Sequence, residues 1–241
     1  MKYILIVKTG KTHDNIRELH SCFEDWIAGG LGVSRDRLRV VSVFEGGLLP
    51  PRLNDVAGVV ITGSPAMVTE RLAWSEAVAR WLRYEVVERH EHVPVLGICY
   101  GHQLIAHALD GEVAYNPRGR EIGTVEVHPT PLAATDTLFH GITQPFAAHV
   151  THMQSVLTLP PGAVLLASSV LEPHHAFRVG ERIWGLQFHP EFNADIMRAY
   201  IGALSARMED EGLDPAPIAA AVREAPVAAT VLRRFGALCG D

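Results

Sequence analysis

Val95-Leu96-Gly97-Ile98-Cys99-Tyr100-Gly101-His102-Gln103 runs from an apolar strand through a Gly-x-Cys-x-Gly turn into residues with helical spacing. The pattern is the thiol counterpart of a nucleophile elbow. Small residues two before and two after the cysteine let the backbone make a sharp, strained turn. Such a turn lifts the thiol above a sheet and sets it near a helix N-terminus, whose dipole favours thiolate. A free cysteine is ordinarily a small buried hydrophobe. In this turn Cys99 reads as a nucleophile.

Strand and helix signals alternate on both sides of that turn. Lys2–Lys8, Leu38–Phe44, Ala57–Thr62 and Val93–Ile98 are apolar runs of the kind buried on both faces of a sheet. Helical spacing falls around Ile16, Leu19, Phe23, Trp26 and Ile27, ending at Gly29-Gly30, then over Leu72–Arg89 and Gln103–Leu109. From Gly111 to Phe188 short β-rich pieces dominate: Gly123–His128, Phe146–Val150, Ala163–Ser169, Ala176–Val179 and Ile183–Phe188. Helix returns over Ala194–Met208, and a terminal helix over Val222–Leu238 is expected to pack on the outside. The order predicts one α/β domain over 1–241, with a helical C-terminal extension over about 209–241. Its sheet is mainly parallel, with helices on both faces and a small β-rich edge.

Composition narrows the class. The 241 residues are 48% hydrophobic and 20% charged, with 27 acidic against 21 basic side chains and a net charge of −6. That balance offers no footprint for nucleic acid or an anionic membrane. No apolar run approaches the roughly 20 residues of a membrane span, and MKYILIVKTGK reads as a first strand rather than a leader. Cys22, Cys99 and Cys239 are too few and too scattered for a disulfide framework, so a reducing, cytoplasmic setting is expected. Thirteen histidines include His149 and His152 three apart and the adjacent His174-His175, but none has closed zinc spacing. They read as surface or site-lining residues; no metal and no cofactor is expected. Trp74 and Trp81 read as packing, and Arg118-Gly119-Arg120 as a solvated turn.

A thiol at neutral pH needs a base, and the base needs a partner to hold its tautomer. Trp184-Gly185-Leu186-Gln187-Phe188-His189-Pro190-Glu191 supplies both, with His189 as base and Glu191 as its orienting acceptor. Acyl transfer also needs two donors for an oxyanion. Val60-Ile61-Thr62-Gly63-Ser64-Pro65 ends a strand at the sheet's carboxyl edge, where ligands of open α/β folds bind. The Gly63 N–H and that of Tyr100, the residue after the cysteine, are the expected donors.

Taken together, Gly97-x-Cys99-x-Gly101-x-Gln103, His189-Pro190-Glu191 and the Gly63 turn resemble the class I, triad-type glutamine amidotransferases, in particular the amidotransferase part of GMP synthases. The motifs span residues 58 to 191. The resemblance implies a flavodoxin-like fold and a Cys99–His189–Glu191 triad that hydrolyses the side-chain amide of glutamine through a γ-glutamyl thioester. It implies that Gln103, Thr151, His152, Met153 and Gln154 bind the substrate's backbone groups. In that segment the GMP-synthase-like pattern is Ser-His-Gly-Asp-x-Val; here Thr151, Met153 and Gln154 replace Ser, Gly and Asp, while His152 and Val156 remain. The sequence has no G-x-x-x-x-G-K-[ST], so an ATP-dependent step would fall to a separate synthetase subunit receiving the ammonia. Two alternatives stand: an autonomous hydrolase of another γ-glutamyl amide or peptide, or a non-catalytic regulatory subunit, which would not need all three triad residues. The sequence leaves a homodimer open.

Overall fold

The computed structural model describes residues 2–89 and 92–240; Met1 and Asp241 of the expected domain lie outside them. In chain order the strands are β1 (Tyr3–Lys8), β2 (Leu38–Ser42), β3 (Val56–Ile61), β4 (Val95–Ile98), β5 (Glu112–Tyr115) and β6 (Glu121–Pro129). They continue as β7 (Phe146–His152), β8 (Gln154–Thr158), β9 (Val164–Ser168), β10 (Ala176–Val179) and β11 (Ile183–Leu186). The helices are α1 (Asp14–His20), α2 (Phe23–Leu31), α3 (Ala73–Trp81), α4 (Tyr100–Ala108), α5 (Ala194–Asp210), α6 (Pro215–Ala220) and α7 (Pro226–Leu238).

One nine-stranded sheet has the order β2-β1-β3-β4-β11-β10-β9-β6-β7. The first five of these strands run parallel to one another. The remaining four join antiparallel, so the expected β-rich edge continues the same sheet. A separate pair, β5 with β8, lies apart from it.

Alternation along the parallel strands builds a core on each face. Ile4 and Ile6 of β1 join Leu96 and Ile98 in a cluster completed by Ile27 and Leu31 of α2 and by Val231, Leu232 and Phe235 of α7. Leu5 and Val7 point the other way, toward Val78 of α3, Leu82, Val86, and Leu104 and Ile105 of α4. Burial on both faces is why these strands read as unbroken apolar runs. A third cluster ties Ile16 and Phe23 to Ile196, Met197 and Tyr200 of α5.

The structure departs from the sequence-based expectation in four places. The first helical region is two helices, α1 and α2, because Ser21 adopts a positive φ of 69°. The expected helix over Leu72–Arg89 is α3 continued by a π-helical stretch, Leu82–Glu88, which keeps Leu82 and Val86 buried. Strands β5 and β8 are short and were not anticipated. The terminal helix begins at Pro226 and is core rather than an outer layer: Val231, Leu232 and Phe235 are fully buried. It approaches α2 so closely that a Cβ on Gly30 would meet Leu232 at 2.5 Å. Among the described residues no helix is long and apolar enough to cross a membrane.

Candidate active site

Cys99 sits between β4 and α4 with φ 50° and ψ −98°, a strained conformation for a residue with a Cβ. Its amide donates to the Leu186 carbonyl at 2.7 Å, which pins the turn to β11. The two flanking glycines are steric requirements. A Cβ on Gly97 would lie 2.6 Å from Ile105 Cδ1 and closer still to the Gly101 backbone. A Cβ on Gly101 would drive into the Ile61 carbonyl. The first turn of α4 therefore packs directly on β3 and β4, and the thiol stands at the carboxyl edge of the parallel strands.

His189 leaves β11 on the neighbouring strand. Its amide donates to the His149 carbonyl at 2.8 Å, extending the sheet for one more bridge. Its ring lies on Phe192, with centroids 4.0 Å apart and planes at 18°. Nδ1 donates to Glu191 Oε1 at 2.8 Å, and both side chains are buried. That bond fixes the tautomer and leaves Nε2 as the atom available to the thiol side. Burial pushes the ring's pKa down, but the Glu191 charge and the Cys99 side chain outweigh it and raise it to about 10. His149, beneath this ring, moves the opposite way, to about 4, through burial and the nearby His189 charge.

Gly63 follows β3 beside this ring: a Cβ there would meet His189 Cε1 at 3.1 Å. The Thr9 hydroxyl lies 3.0 Å from the Thr62 carbonyl, in the same peptide as the Gly63 N–H, and orients it. Tyr100 is the first residue of α4, where a backbone N–H has no intrahelical acceptor. Its side chain turns away, donating to Ser75 Oγ at 2.6 Å, and burial raises the phenol to about 12.

Cys99, Gln103, His189 and the 151–154 segment line one cavity of about 110 Å³. The Thr151 carbonyl lies 3.9 Å from Cys99 Sγ. Gln103 Nε2 donates to the Gln154 carbonyl at 2.8 Å and to Gln187 Oε1 at 2.9 Å, so its amide braces the wall from the elbow helix. The Gln154 side chain donates to Thr69 Oγ1 at 2.5 Å. Both ring nitrogens of His152 have protein partners, the Gln154 carbonyl and Glu121.

Several lining residues escaped the sequence reading. Lys11, Arg120 and Arg207 line the cavity, and among its described lining residues none is acidic. Arg120, expected in a solvated turn, is buried by a two-point ion pair with Glu211 at 2.6 and 2.9 Å. His149 and His175 are buried and are not among the cavity's lining residues, whereas His152 is buried and lines it. Glu121 had no motif to announce it; its Arg-Glu-Ile-Gly context is legible only beside the histidines it meets. Phe192 could have been found, one residue past Glu191.

Residues 37–202, more than half of the chain, match the family model "Glutamine amidotransferase class-I". The glutamine-hydrolysing GMP synthase of Porphyromonas gingivalis is 34% identical over 150 residues, covering 62% of this chain and 28% of that protein. That of Aeropyrum pernix is 35% identical over 167 residues, covering 67% and 28%. The chain thus spans little more than a quarter of these relatives. A glutamine amidotransferase structure from Thermotoga maritima superposes with a TM-score of 0.76 at 22% identity over 100% of both chains. One from Methylobacillus flagellatus gives 0.71 at 26% identity over 98% and 94%. A family match across the elbow and the His-Pro-Glu segment, on a fold shared end to end with solved amidotransferases, makes this chain a member of the class I glutamine amidotransferases, a family of enzymes.

Proposed function

We propose that this chain hydrolyses the side-chain amide of glutamine through a γ-glutamyl thioester on Cys99 and passes the ammonia to a separate synthetase. The observation that carries the reading is the pairing of a strained cysteine elbow with a histidine from the adjacent strand, itself bonded to Glu191 at 2.8 Å. Cys99 Sγ attacks the amide carbon, and the N–H groups of Gly63 and Tyr100 receive the oxyanion. His189 gives its proton to the departing ammonia, then takes one from the water that clears the thioester as glutamate. Glu191 holds the ring throughout. A synthetase partner is inferred because the matched GMP synthases carry nearly three quarters of their length beyond what this chain covers.

A second reading has one observation in its favour. The cavity's cations, with no carboxylate to meet an α-ammonium group, suit a γ-glutamyl compound bearing a further carboxylate, hydrolysed without a partner. Glu211 and Glu45 neutralise part of that charge, which keeps glutamine first. A purely regulatory subunit would not need the intact triad.

The test is steady-state release of glutamate from glutamine against a panel of γ-glutamyl amides and peptides. Cys99→Ala should abolish turnover, a loss of at least about 10⁴-fold, while substrate still binds. A variant that kept wild-type rate would end the assignment. Turnover of a γ-glutamyl peptide with little from glutamine would select the second reading.

A further inference from the structure

Behind the wall formed by residues 151–154, three buried side chains meet that the reaction above does not use. Glu121 Oε2 lies 2.9 Å from His152 Nε2 and 3.2 Å from His175 Nε2. Glu121 Oε1 accepts from Ser169 Oγ at 2.6 Å. Every ring nitrogen of His152 therefore faces an acceptor: Nε2 the carboxylate, and Nδ1 the Gln154 carbonyl at 2.9 Å. Burial works to raise the Glu121 pKa, but its hydrogen bonds to His152 and His175 lower it, so it is a carboxylate and only accepts. A neutral imidazole has one N–H, so both bonds to His152 together call for the doubly protonated ring. His175 is different, since its Nδ1 has no partner and one proton on Nε2 satisfies its contact with Glu121. The neighbouring histidines complete the surroundings. His102, on α4, is pushed well toward neutral by burial and by the rings of His175, His152 and His174. Glu172 Oε1 is taken up by the His174 amide.

Two histidines and a glutamate also resemble a metal site, and the geometry decides against one. A tetrahedral ion bonded to both Nε2 atoms at about 2.0–2.1 Å would hold the ring centres about 5 Å apart. They stand 6.3 Å apart, with the carboxylate oxygen between them at hydrogen-bonding distance. The cluster is a carboxylate held by two imidazoles and a hydroxyl.

Its position gives it a job. The Gln154 carbonyl is held twice, by the His152 ring and by Gln103 from the elbow helix. One residue before His152, the Thr151 carbonyl lies beside Cys99. We propose that Glu121 is a positioning residue: it holds His152 doubly protonated, and that ring locks the crossing from β7 to β8 that shapes the substrate end of the site. The effect on substrate rests on the glutaminase reading; the protonation of His152 does not.

Nitrogen-15 histidine NMR of the whole chain at pH 8 tests the first half. One ring should show both nitrogens protonated, assigned by its loss in His152→Gln, and Glu121→Gln should abolish the same signature. Glutamine kinetics test the second half. Glu121→Gln should raise KM about tenfold or more, the scale of one charge-assisted hydrogen bond, with kcat changed less than about threefold. Alkylation of Cys99 by iodoacetamide should stay within about twofold of wild type, which separates loosened positioning from a damaged nucleophile. A singly protonated His152 in the wild-type spectrum, a result independent of how any variant folds, would overturn the proposal. An unchanged KM in a folded Glu121→Gln protein would overturn it too. So would added zinc that shifts both ring signals, since that result would make the cluster a metal site. If no γ-glutamyl compound is turned over at all, the glutaminase reading fails while the spectrum still decides the state of His152.

Discussion

Gly101→Ala places one methyl group where the structure has least room for it. The new Cβ would lie 3.0 Å from both the carbonyl carbon and Cβ of Ile61, and closer still to the Ile61 oxygen. Carbon contacts relax at about 3.5–4.0 Å, so α4 must move off β3 by up to about 1 Å. The obstacle is backbone in the middle of the parallel sheet, which cannot rotate aside. Overpacking of this kind costs about 1–3 kcal/mol of stability. The larger effect should be on rate, because α4 carries both Cys99's following N–H and Gln103. A misplacement of about 1 Å in a reacting constellation costs on the order of 10²-fold. Expected, then, is a folded variant with a modestly lowered urea midpoint, kcat/KM for glutamine down about 10²-fold, and slower alkylation of Cys99 by iodoacetamide. Gly202→Ala on α5 is the control, since nothing lies within 4 Å of its Cβ. There the same chemical change should stabilise by about 0.5–1 kcal/mol and leave rate alone. Wild-type kcat/KM in Gly101→Ala would refute the steric account of the elbow.

Other outcomes follow from the same geometry. Glu191→Gln should reduce kcat less than loss of Cys99 or His189, because Glu191 acts only through the ring it holds. It should also have a pH signature. The folded pKa of His189 is raised from 6.5 to about 10, mainly by Glu191 acting against burial. A raised pKa stabilises the fold fully below pH 6.5, and the contribution is lost as pH rises through about 10. Urea midpoints of Glu191→Gln and wild type should thus differ most near about pH 6 and converge above about pH 10; a constant gap would sink the linkage argument. Phe235→Ala, in the buried face of α7 against Trp184, should cost about 3–5 kcal/mol in urea unfolding with activity at low denaturant retained. A loss under about 1 kcal/mol would mean that α7 is not core.

How far the sequence carried the fold depended on how local each signal was. The parallel half was legible because residues 4–7, 59–61 and Val95–Ile98 are buried on both faces of the sheet and are apolar throughout but for Gly97. The strained turn at Cys99 was legible because the constraint on Gly97 and Gly101 is written within five residues of chain. His189 and Glu191 were legible as a pair because only Pro190 separates them. What stayed hidden was assembled across long separations. Glu121 meets His152 and His175 from 31 and 54 residues away, so no window contains the cluster. Arg120 reads as a solvated turn until Glu211, 91 residues on, folds back to bury it. The role of α7 was hidden for a related reason: an amphipathic terminal helix looks the same whether its apolar face covers a sheet edge or completes a core, and only the approach of Gly30 to Leu232 distinguishes them.

The junction strand explains why Cys99 and His189 arrive together. β11 pairs parallel with β4 on one side and antiparallel with β10 on the other, so it belongs to both halves of the sheet. Its register sets Leu186 beside Ile98, and the Cys99 amide donates its hydrogen bond to the Leu186 carbonyl. From that shared point Cys99 turns up into α4 after one residue, while β11 runs on three more to His189, held by its bridge to His149 on β7. The separation of thiol and imidazole is therefore set by ladder hydrogen bonds of the central sheet, not by loops. The wall that faces them comes from the end of β7, in the antiparallel half, and the start of β8, in the separate β5–β8 pair. On the proposed reading, substitutions in 151–154 and at the buried Glu121 should leave Cys99 and His189 in place and sort into KM effects, while those in β4 and β11 sort into kcat effects.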